Sequence, residues 1–271
     1  MKKVRLFILI VTAIAVIFVG GASIVLRFVA EKTMFNQEKK FVIGDKKEIY
    51  IDADDVDIHF NPTDSNSIKV VFSGEVASTN KEMVPELSIS EESSKLSIKV
   101  NRKKGWALYY KNNLSLTIDI PKTYAEAISV NSSSADVKLK NINVNNFVFK
   151  SDSGNINLDN ITINDVSVET SSGRVAITNF SGNVNVESNS GDVRIEYKHF
   201  NNNVDIKVNS GDTKLVIPEN SAFNIVANTN KGKLSNSFPV EAISSTENHL
   251  VGYVGYSDKK VIISSESGKR M

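Results

Sequence analysis

Few residues of this chain could carry nucleophilic or metal chemistry, and none stands in a recognisable pattern. There is no Cys, and the only histidines are His59, His199 and His249, which lie far apart. No His has the spacing of a metal site or a catalytic triad, and no Gly-x-Ser-x-Gly sequence is present. Carboxylates are numerous, but no pair stands out as the acid and base of a glycosidase. The sequence therefore predicts a protein that is not an enzyme and that uses no cofactor or metal.

The densest group of carboxylates is Asp52, Asp54, Asp55 and Asp57. A Ca²⁺ loop of the EF-hand type needs a Gly and a terminal Glu at fixed positions, and that spacing is missing here. On a strand, Asp54 and Asp55 would also point to opposite faces. These residues are therefore expected to lie on a solvated strand and turn, without a bound cation.

One local cluster combines cations with aromatic rings. The segment 102–111 holds six candidate ligand-binding residues: Arg102, Lys103, Lys104, Trp106, Tyr109 and Tyr110. Such a surface could rest on anionic lipid headgroups or stack on sugars or peptides. The alternative is a hairpin tip whose aromatic rings pack on the core. Both interpretations are compatible with the sequence.

Serine–glycine corners recur along the second half of the chain. Each copy reads Ser or Asn, one residue, Ser-Gly, and then an alternating apolar strand. Four clear copies and two looser ones place the corner residue at Ala135, Gly154, Gly173, Gly191, Gly211 and Gly232. The steps between them are 19, 19, 18, 20 and 21 residues. An early echo lies at residues 54–58, and a last Ser-Glu-Ser-Gly ends at Gly268.

Each period holds two short strands and two corners. Alternation such as Val184-Asn185-Val186 gives each strand one apolar face. Gly permits the positive φ of a tight corner, and a second turn signal, such as Asn160, falls half a period later. Repeats this short bury a core only by stacking. The sequence predicts an all-β, parallel β-solenoid-like stack of two-strand coils, about 19 residues each; an antiparallel β-sandwich is the alternative.

Aligning the copies on their glycines predicts which residues are neighbours. Val193 should lie between Val175 and Thr213 on parallel strands, at the usual strand spacing of about 4.8 Å. Ser and Asn side chains at equivalent corners should form hydrogen-bonded ladders.

The same alternation predicts a basic stripe on the solvated side of these strands, made of Arg174, Arg194 and Lys214. Stacked cations repel one another unless they are hydrated or meet an anionic surface. The stripe is therefore a candidate contact with anionic wall polymer.

The N-terminal residues 6–26 run for 21 positions without a charge, long enough to span a bilayer as a helix. Lys2, Lys3 and Arg5 precede this run, which favours a cytoplasmic N-terminus. A cleaved signal peptide would have a shorter apolar region followed by a small-x-small site. We therefore expect three parts: a cytoplasmic tail and single-pass membrane anchor at 1–29, a polar stalk at 30–44, and an extracytoplasmic β-repeat domain at 45–271.

These features together resemble a known bacterial family. The Ser-x-Ser-Gly-Asp-Val-x-Ile copy at 188–195, the Ile-Pro strand ends at 120–121 and 217–218, and the N-terminal anchor resemble the "putative adhesin" β-repeat family of unknown function. LiaG-like membrane-anchored members are the most similar kind, and they occur beside cell-envelope stress systems in Gram-positive bacteria. The resemblance implies a surface location more strongly than it implies any ligand.

Two functions are consistent with this sequence, and both place the chain at the cell envelope. The first is a non-enzymatic scaffold or interaction module that contacts an envelope component or another membrane protein, linked to envelope stress. The second is a ligand-binding module for wall polymer, glycan or cation, acting through segment 102–111 or a solenoid face. Lys plus Arg (32) nearly balances Asp plus Glu (31), so the basic surplus that nucleic-acid binding needs is missing.

Overall fold

A computed structural model describes residue 25 and residues 29–269 of the chain. The apolar run at residues 6–26, predicted to cross the membrane, lies outside the described residues apart from Val25. Among the described residues, no helix is both long and apolar enough to cross a membrane.

Alternating apolar and polar residues place most of the described chain in β-strands. The first nine strands are β1 (Glu31–Val42), β2 (Glu48–Ala53), β3 (Asp57–Thr63), β4 (Ser67–Ser78), β5 (Glu86–Glu91), β6 (Lys95–Asn101), β7 (Tyr110–Pro121), β8 (Ala127–Ser132) and β9 (Val137–Lys140). The others are β10 (Asn143–Ser151), β11 (Ile156–Ser172), β12 (Val175–Ser190), β13 (Val193–Tyr197), β14 (Val204–Ser210), β15 (Thr213–Val216), β16 (Phe223–Lys233), β17 (Glu241–Ser245), β18 (His249–Val254) and β19 (Lys260–Lys269). A 3₁₀ turn, Lys81–Met83, lies between β4 and β5.

The strands form two opposed faces around one apolar core. Face A carries, in order, β5, β6, β2, β8, β10, the second halves of β11 and β12, β14, β19, β16, β18 and β17. Face B carries β1, β4, β7, β3, β9, the first halves of β11 and β12, β13 and β15. Because β11 and β12 run round the edge from face B to face A, the two faces belong to one hydrogen-bonded sheet.

The central coils have the register that the glycine alignment predicts. Val193 pairs with Val175 on one side and with Thr213 on the other, in parallel strands. On face A, Val184 pairs in parallel with Val166 one coil earlier. The all-β class and the parallel, solenoid-like stacking of these coils are therefore confirmed, and the antiparallel alternative does not describe them.

The serine–glycine corners form a column in which glycine is required. Gly191 has a φ of +132°, and its N–H donates to the carbonyl of Ser210 at 2.9 Å. A Cβ at Gly191 would lie 2.8 Å from the carbonyl carbon of Gly173, and Gly173 meets Gly154 in the same way. Any side chain at these positions would therefore collide with the backbone of the preceding coil.

The opposite corners are built by asparagines in the left-handed region. Asn141, Asn160 and Asn179 have φ values of 54°, 51° and 51°. The amide of Asn160 donates to the side-chain oxygen of Asn141 at 2.6 Å. On face A, the side-chain amide of Asn209 donates to the side-chain oxygen of Asn189 at 2.8 Å. The predicted ladders of stacked polar side chains are therefore present.

The order of coils in space departs from their order in the chain at both ends. β2 and β3 are inserted between the later strands β6 and β7 on one side and β8 and β9 on the other. The final strand, β19, is inserted between β14 and β16. Antiparallel strands complete both ends: β1, β4 and β5 at the first, and β17 and β18 at the last. Each terminal region of the domain is thus held by a non-local strand.

Residues 31–42 form β1, which pairs along its whole length with β4. The prediction of a polar stalk over residues 30–44 is therefore wrong for this segment. Phe35 points inward, and its ring centroid lies 4.9 Å from that of Phe72. β1 is the edge strand of face B, and charged side chains are common on edges because they discourage pairing with other chains.

Candidate binding surfaces

The predicted cluster at 102–111 lies in the loop that joins β6 to β7, and its residues have different environments. Arg102 is already engaged within the protein. Its Nη2 atom lies 3.2 Å from the Oδ2 atom of Asp54 and 3.9 Å from that of Asp55. Its guanidinium also sits 4.7 Å from the ring centroid of Tyr110. Arg102 therefore holds the loop to the corner between β2 and β3.

The tip of this loop is exposed. Trp106 exposes 74% of its surface, and Lys103 and Lys104 are also exposed. Tyr109 is half-buried, and its backbone N–H donates to Thr79 Oγ1 at 3.1 Å. Of the two interpretations of this segment, packing on the core describes Tyr110 but not Trp106, whose indole is mostly exposed.

The acidic group at 52–57 lies on a strand and turn as predicted, since Asp52 is on β2 and Asp57 begins β3, but the turn is paired with Arg102 rather than solvated. Asp54 and Asp55 lie in a bend, and both face Arg102. Burial raises the pKa of the Asp55 carboxyl, and the nearby Arg102 charge opposes that rise. Over the described residues, no three His, Asp or Glu side chains are gathered closely enough to hold a metal ion.

The predicted basic stripe is wrong in one member. Arg194 pairs with Lys214 on one side, but its partner on the other is Ala176 rather than Arg174. Arg194 is also bound to Glu196, at 2.9 Å. The stripe thus shortens to two neighbouring cations, one of them paired. Whether any of these residues binds a ligand stays a prediction.

Arg174 instead occupies a column of Asp and Asn residues that directly follow the corner. At three places in this column a backbone N–H donates to the side-chain oxygen of the preceding coil. The bonds run from Asn155 to Asp136 at 2.7 Å, from Arg174 to Asn155 at 3.0 Å, and from Asp212 to Asp192 at 3.0 Å. Arginine has no acceptor atom, so Arg174 cannot continue the ladder to Asp192.

An open groove lies on face A, where the sequence predicted no site. It has a volume of about 590 Å³. Two adjacent rows of exposed side chains line it: Lys150, Glu169, Glu187 and Lys207 in the first, and Asp152, Ser171, Asn189 and Asn209 in the second. Within the first row, successive residues are register partners on parallel strands. In the second row, the side-chain amide of Asn209 donates to the side-chain oxygen of Asn189 at 2.8 Å.

The signal for this groove was present in the sequence. The residues of the first row recur at steps of 19, 18 and 20, which match the glycine steps. They lie on the strand that precedes each corner, whereas the predicted basic stripe lies on the outward side of the strand that follows it. A column-by-column alignment of both strands would therefore have found the groove.

The groove presents both hydrogen-bond donors and hydrogen-bond acceptors, and its charged side chains leave little net charge. Lys150 and Glu169 form an ion pair at 2.8 Å across neighbouring coils. The two rows contain amide, hydroxyl, carboxylate and ammonium groups, so donors and acceptors are both available. This chemistry suits recognition of a polar, extended molecule.

A family model matches most of the described chain. The Toastrack DUF4097 family model matches the chain twice, over residues 46–181 and 136–269. No curated protein matches significantly.

Several solved structures are similar at low identity. A "putative cell adhesion protein" from Clostridium sporogenes is 13% identical over 87% of this chain and 97% of its own, with a TM-score of 0.36. A "putative adhesin" from Bacteroides fragilis is 10% identical over 87% of this chain and 95% of its own, with a TM-score of 0.43. One from Parabacteroides distasonis is 12% identical over 87% and 97%, with a TM-score of 0.38. Scores in this range carry no structural argument.

The two family matches together cover residues 46–269, which includes every parallel coil described above. They confirm the resemblance that the serine–glycine corners indicated. The chain belongs to the Toastrack DUF4097 family.

Proposed function

We propose that this protein is a non-enzymatic, membrane-anchored interaction module of the cell envelope, and that face A binds an extended glycan of the wall. The observation that carries the proposal is the pair of polar rows along the face A groove. A single-pass anchor at 1–29, a cytoplasmic N-terminus and an extracytoplasmic domain are parts of this proposal. A link to envelope stress is a further part, supported by the family resemblance.

The spacing of the rows favours a polymer over a compact ligand. Parallel strands repeat the same side-chain position at intervals of about 4.8 Å. Successive sugars of an extended β-1,4-linked glycan are spaced close to that interval. A chain lying across the strands would therefore meet equivalent donors and acceptors at each coil, and each contact could be modest because many are made at once.

The charge of the groove favours a glycan over a strongly anionic polymer. Lys150 and Lys207 are balanced by Asp152, Glu169 and Glu187. An anionic polymer would need a basic surplus, and the shortened pair Arg194–Lys214 on face B is the nearest alternative surface for it. The glycan hypothesis and the anionic-polymer hypothesis can therefore be tested on two separate faces.

A sedimentation assay with insoluble wall tests the proposal. The full-length protein in nanodiscs is mixed with peptidoglycan that has been stripped of anionic polymer. We expect binding, and we expect Lys150→Ala/Lys207→Ala to weaken it by about tenfold, since hydrogen bonds to charged groups contribute about 1.5–3 kcal/mol before solvent competition. The charge-matched control is Arg194→Ala/Lys214→Ala on face B, which should bind as the wild type does.

Two outcomes would overturn the proposal. If the wild type does not bind stripped peptidoglycan, face A does not recognise the glycan. If only unstripped wall is bound, and the face B variant loses that binding, the ligand is the anionic polymer and face B is its site. Exposed substitutions of this kind change stability by only about 0.5 kcal/mol, so misfolding does not account for a selective loss.

A further inference from the structure

Exposed apolar side chains collect at one end of the stack. Of the large hydrophobic residues that are exposed within the described chain, five lie near the start of β1 or in the loop between β6 and β7: Val25, Val29, Met34, Trp106 and Leu108. Trp106 and Leu108 expose 74% and 64% of their surfaces. Such side chains, gathered at one place, mark a surface that meets another apolar phase.

Direct contacts tie this loop to the beginning of β1. Lys81 Nζ lies 2.7 Å from Glu31 Oε2, which joins the 3₁₀ turn to the first residue of β1. The side-chain amide of Asn80 donates to the carbonyl of Trp106 at 3.1 Å. The loop that carries the indole is therefore fixed beside the point where the chain enters the domain.

The sequence brings the apolar run to the same place. The uncharged segment ends at Leu26, five positions before Glu31. Five residues span at most about 17 Å when fully extended. If the run crosses the membrane, this end of the stack lies within reach of the bilayer surface.

The composition of the loop fits the headgroup layer. Tryptophan is enriched where hydrocarbon meets water, because its ring is apolar and its N–H is polar. Lys103 and Lys104 flank the indole and form no ion pair with any residue that the structure describes. Unpaired lysines next to an inserted ring are attracted to anionic lipid headgroups.

We propose that the loop 102–109 lies in the headgroup layer of the membrane, with Trp106 and Leu108 inserted and with Lys103 and Lys104 on anionic lipid. This inference rests on the proposed membrane anchor. It gives the anchor a second contact, so that the domain has a fixed orientation rather than swinging on its tether. The last coils then stand about 40 Å from the first at the usual strand spacing, which holds the face A groove away from the bilayer.

Trp106 is the only tryptophan in the chain, so its fluorescence reports on this loop without labelling. The full-length protein is incorporated into nanodiscs of anionic lipid, with and without bromine atoms on the acyl chains. We expect the emission to shift to shorter wavelength relative to unfolded protein, and to be quenched by the brominated lipid. Lys103→Gln/Lys104→Gln should reduce that quenching, and so should nanodiscs of neutral lipid.

A relocated tryptophan provides the matched control. Tyr256 is fully exposed beyond β18, at the other end of the stack. The variant Trp106→Phe/Tyr256→Trp should keep the emission of a hydrated indole and should be quenched by iodide in solution rather than by lipid.

The outcomes separate this inference from the anchor on which it rests. Protein that does not co-migrate with nanodiscs refutes the anchor. Protein that co-migrates but has a hydrated, iodide-quenched Trp106 refutes the loop contact alone. A hydrated Trp106 whose emission shifts when soluble wall fragments are added would show that the loop stacks on sugar instead, which also overturns the proposal.

Discussion

Replacing Gly191 by alanine should destabilise the protein far more than the same change at Gly44 or Gly105. Two effects act together at this corner. The φ of +132° is a conformation that a residue with a Cβ adopts at a cost of about 1–3 kcal/mol. The added Cβ would also lie 2.8 Å from the carbonyl carbon of Gly173 and closer still to its oxygen, so backbone must move. Overpacking of this kind costs about 1–3 kcal/mol, which gives a total near 4 kcal/mol.

Two other glycines separate these effects. Gly44 has a φ of +46° but nothing within 4 Å of an added Cβ, so Gly44→Ala should cost only the backbone term, about 1 kcal/mol. Gly105 has no positive φ, and its nearest neighbour would be Met83 Cγ at 3.7 Å. Gly105→Ala should therefore be neutral or slightly stabilising. A gain of about 0.4 kcal/mol is expected if alanine lowers the conformational entropy of the unfolded chain.

Urea unfolding of the full-length protein, followed by circular dichroism, measures these three costs. The slope with urea concentration should be compared between variants, because stacked repeats can unfold in parts. The expected order of cost is Gly191, then Gly44, then Gly105. Equal costs for Gly191→Ala and Gly105→Ala would refute the stacked corner and the register that depends on it.

Three further changes test other contacts of the stack. Arg174→Asn should add about 0.5–1.5 kcal/mol of stability, because the amide oxygen of the new asparagine can accept the N–H of Asp192. Arg174→Ala should bring no such gain. Equal urea midpoints for the two variants would contradict the ladder. Tyr197→Phe should cost about 1–2 kcal/mol, since it removes a buried bond of 3.0 Å to the carbonyl of Gly182; a variant as stable as the wild type would contradict this. Burial raises the pKa of Asp55, so the folded state holds this proton more tightly than the unfolded state does. The free energy of unfolding of the wild type, measured relative to Asp55→Asn, should therefore fall as pH rises above about 3.9, the usual pKa of an aspartate. A difference between the two proteins that does not change with pH would refute the burial of the Asp55 carboxyl.

The repeat made much of the fold predictable. Alternation fixes which side chains face the core, and glycine marks each corner, so the pairing of Val193 with Val175 and Thr213 followed from the sequence alone. The insertion of β2–β3 and of β19 between other coils could not be predicted in this way. Those pairings join residues far apart in the chain, and local patterns carry no information about them.

The errors have identifiable causes. β1 is rich in charge because it is an edge strand, and only Phe35 and Phe41 mark its inward side, so it looked like a stalk. Arg174 was assigned to the stripe because it is basic and near the corner. It follows Gly173 directly, however, as Asp192 follows Gly191, and so belongs to the Asp and Asn column.

The candidate binding surfaces were harder to predict than the fold. The loop at 102–109 was recognised from composition, but its division into an engaged Arg102 and an exposed Trp106 depends on contacts with Asp54 and Asp55. The face A groove is lined by outward-facing side chains, whereas the apolar pattern of the same strands identifies only their inward-facing residues. Polar residues there have no apolar signature, so only the repeat register shows that they form rows.

The most direct test of the proposed function uses the absence of cysteine from the chain. A single cysteine is introduced either on face A, as Glu187→Cys, or on face B, as Asn157→Cys, at positions that are both exposed. Labelling by a membrane-impermeant maleimide is then compared between intact cells and protoplasts without wall. We predict that both cysteines are labelled in protoplasts, and that the wall slows labelling of Glu187→Cys but not of Asn157→Cys. Absence of labelling in protoplasts would contradict the extracytoplasmic location, and equal rates at the two positions in intact cells would contradict the binding of wall glycan by face A.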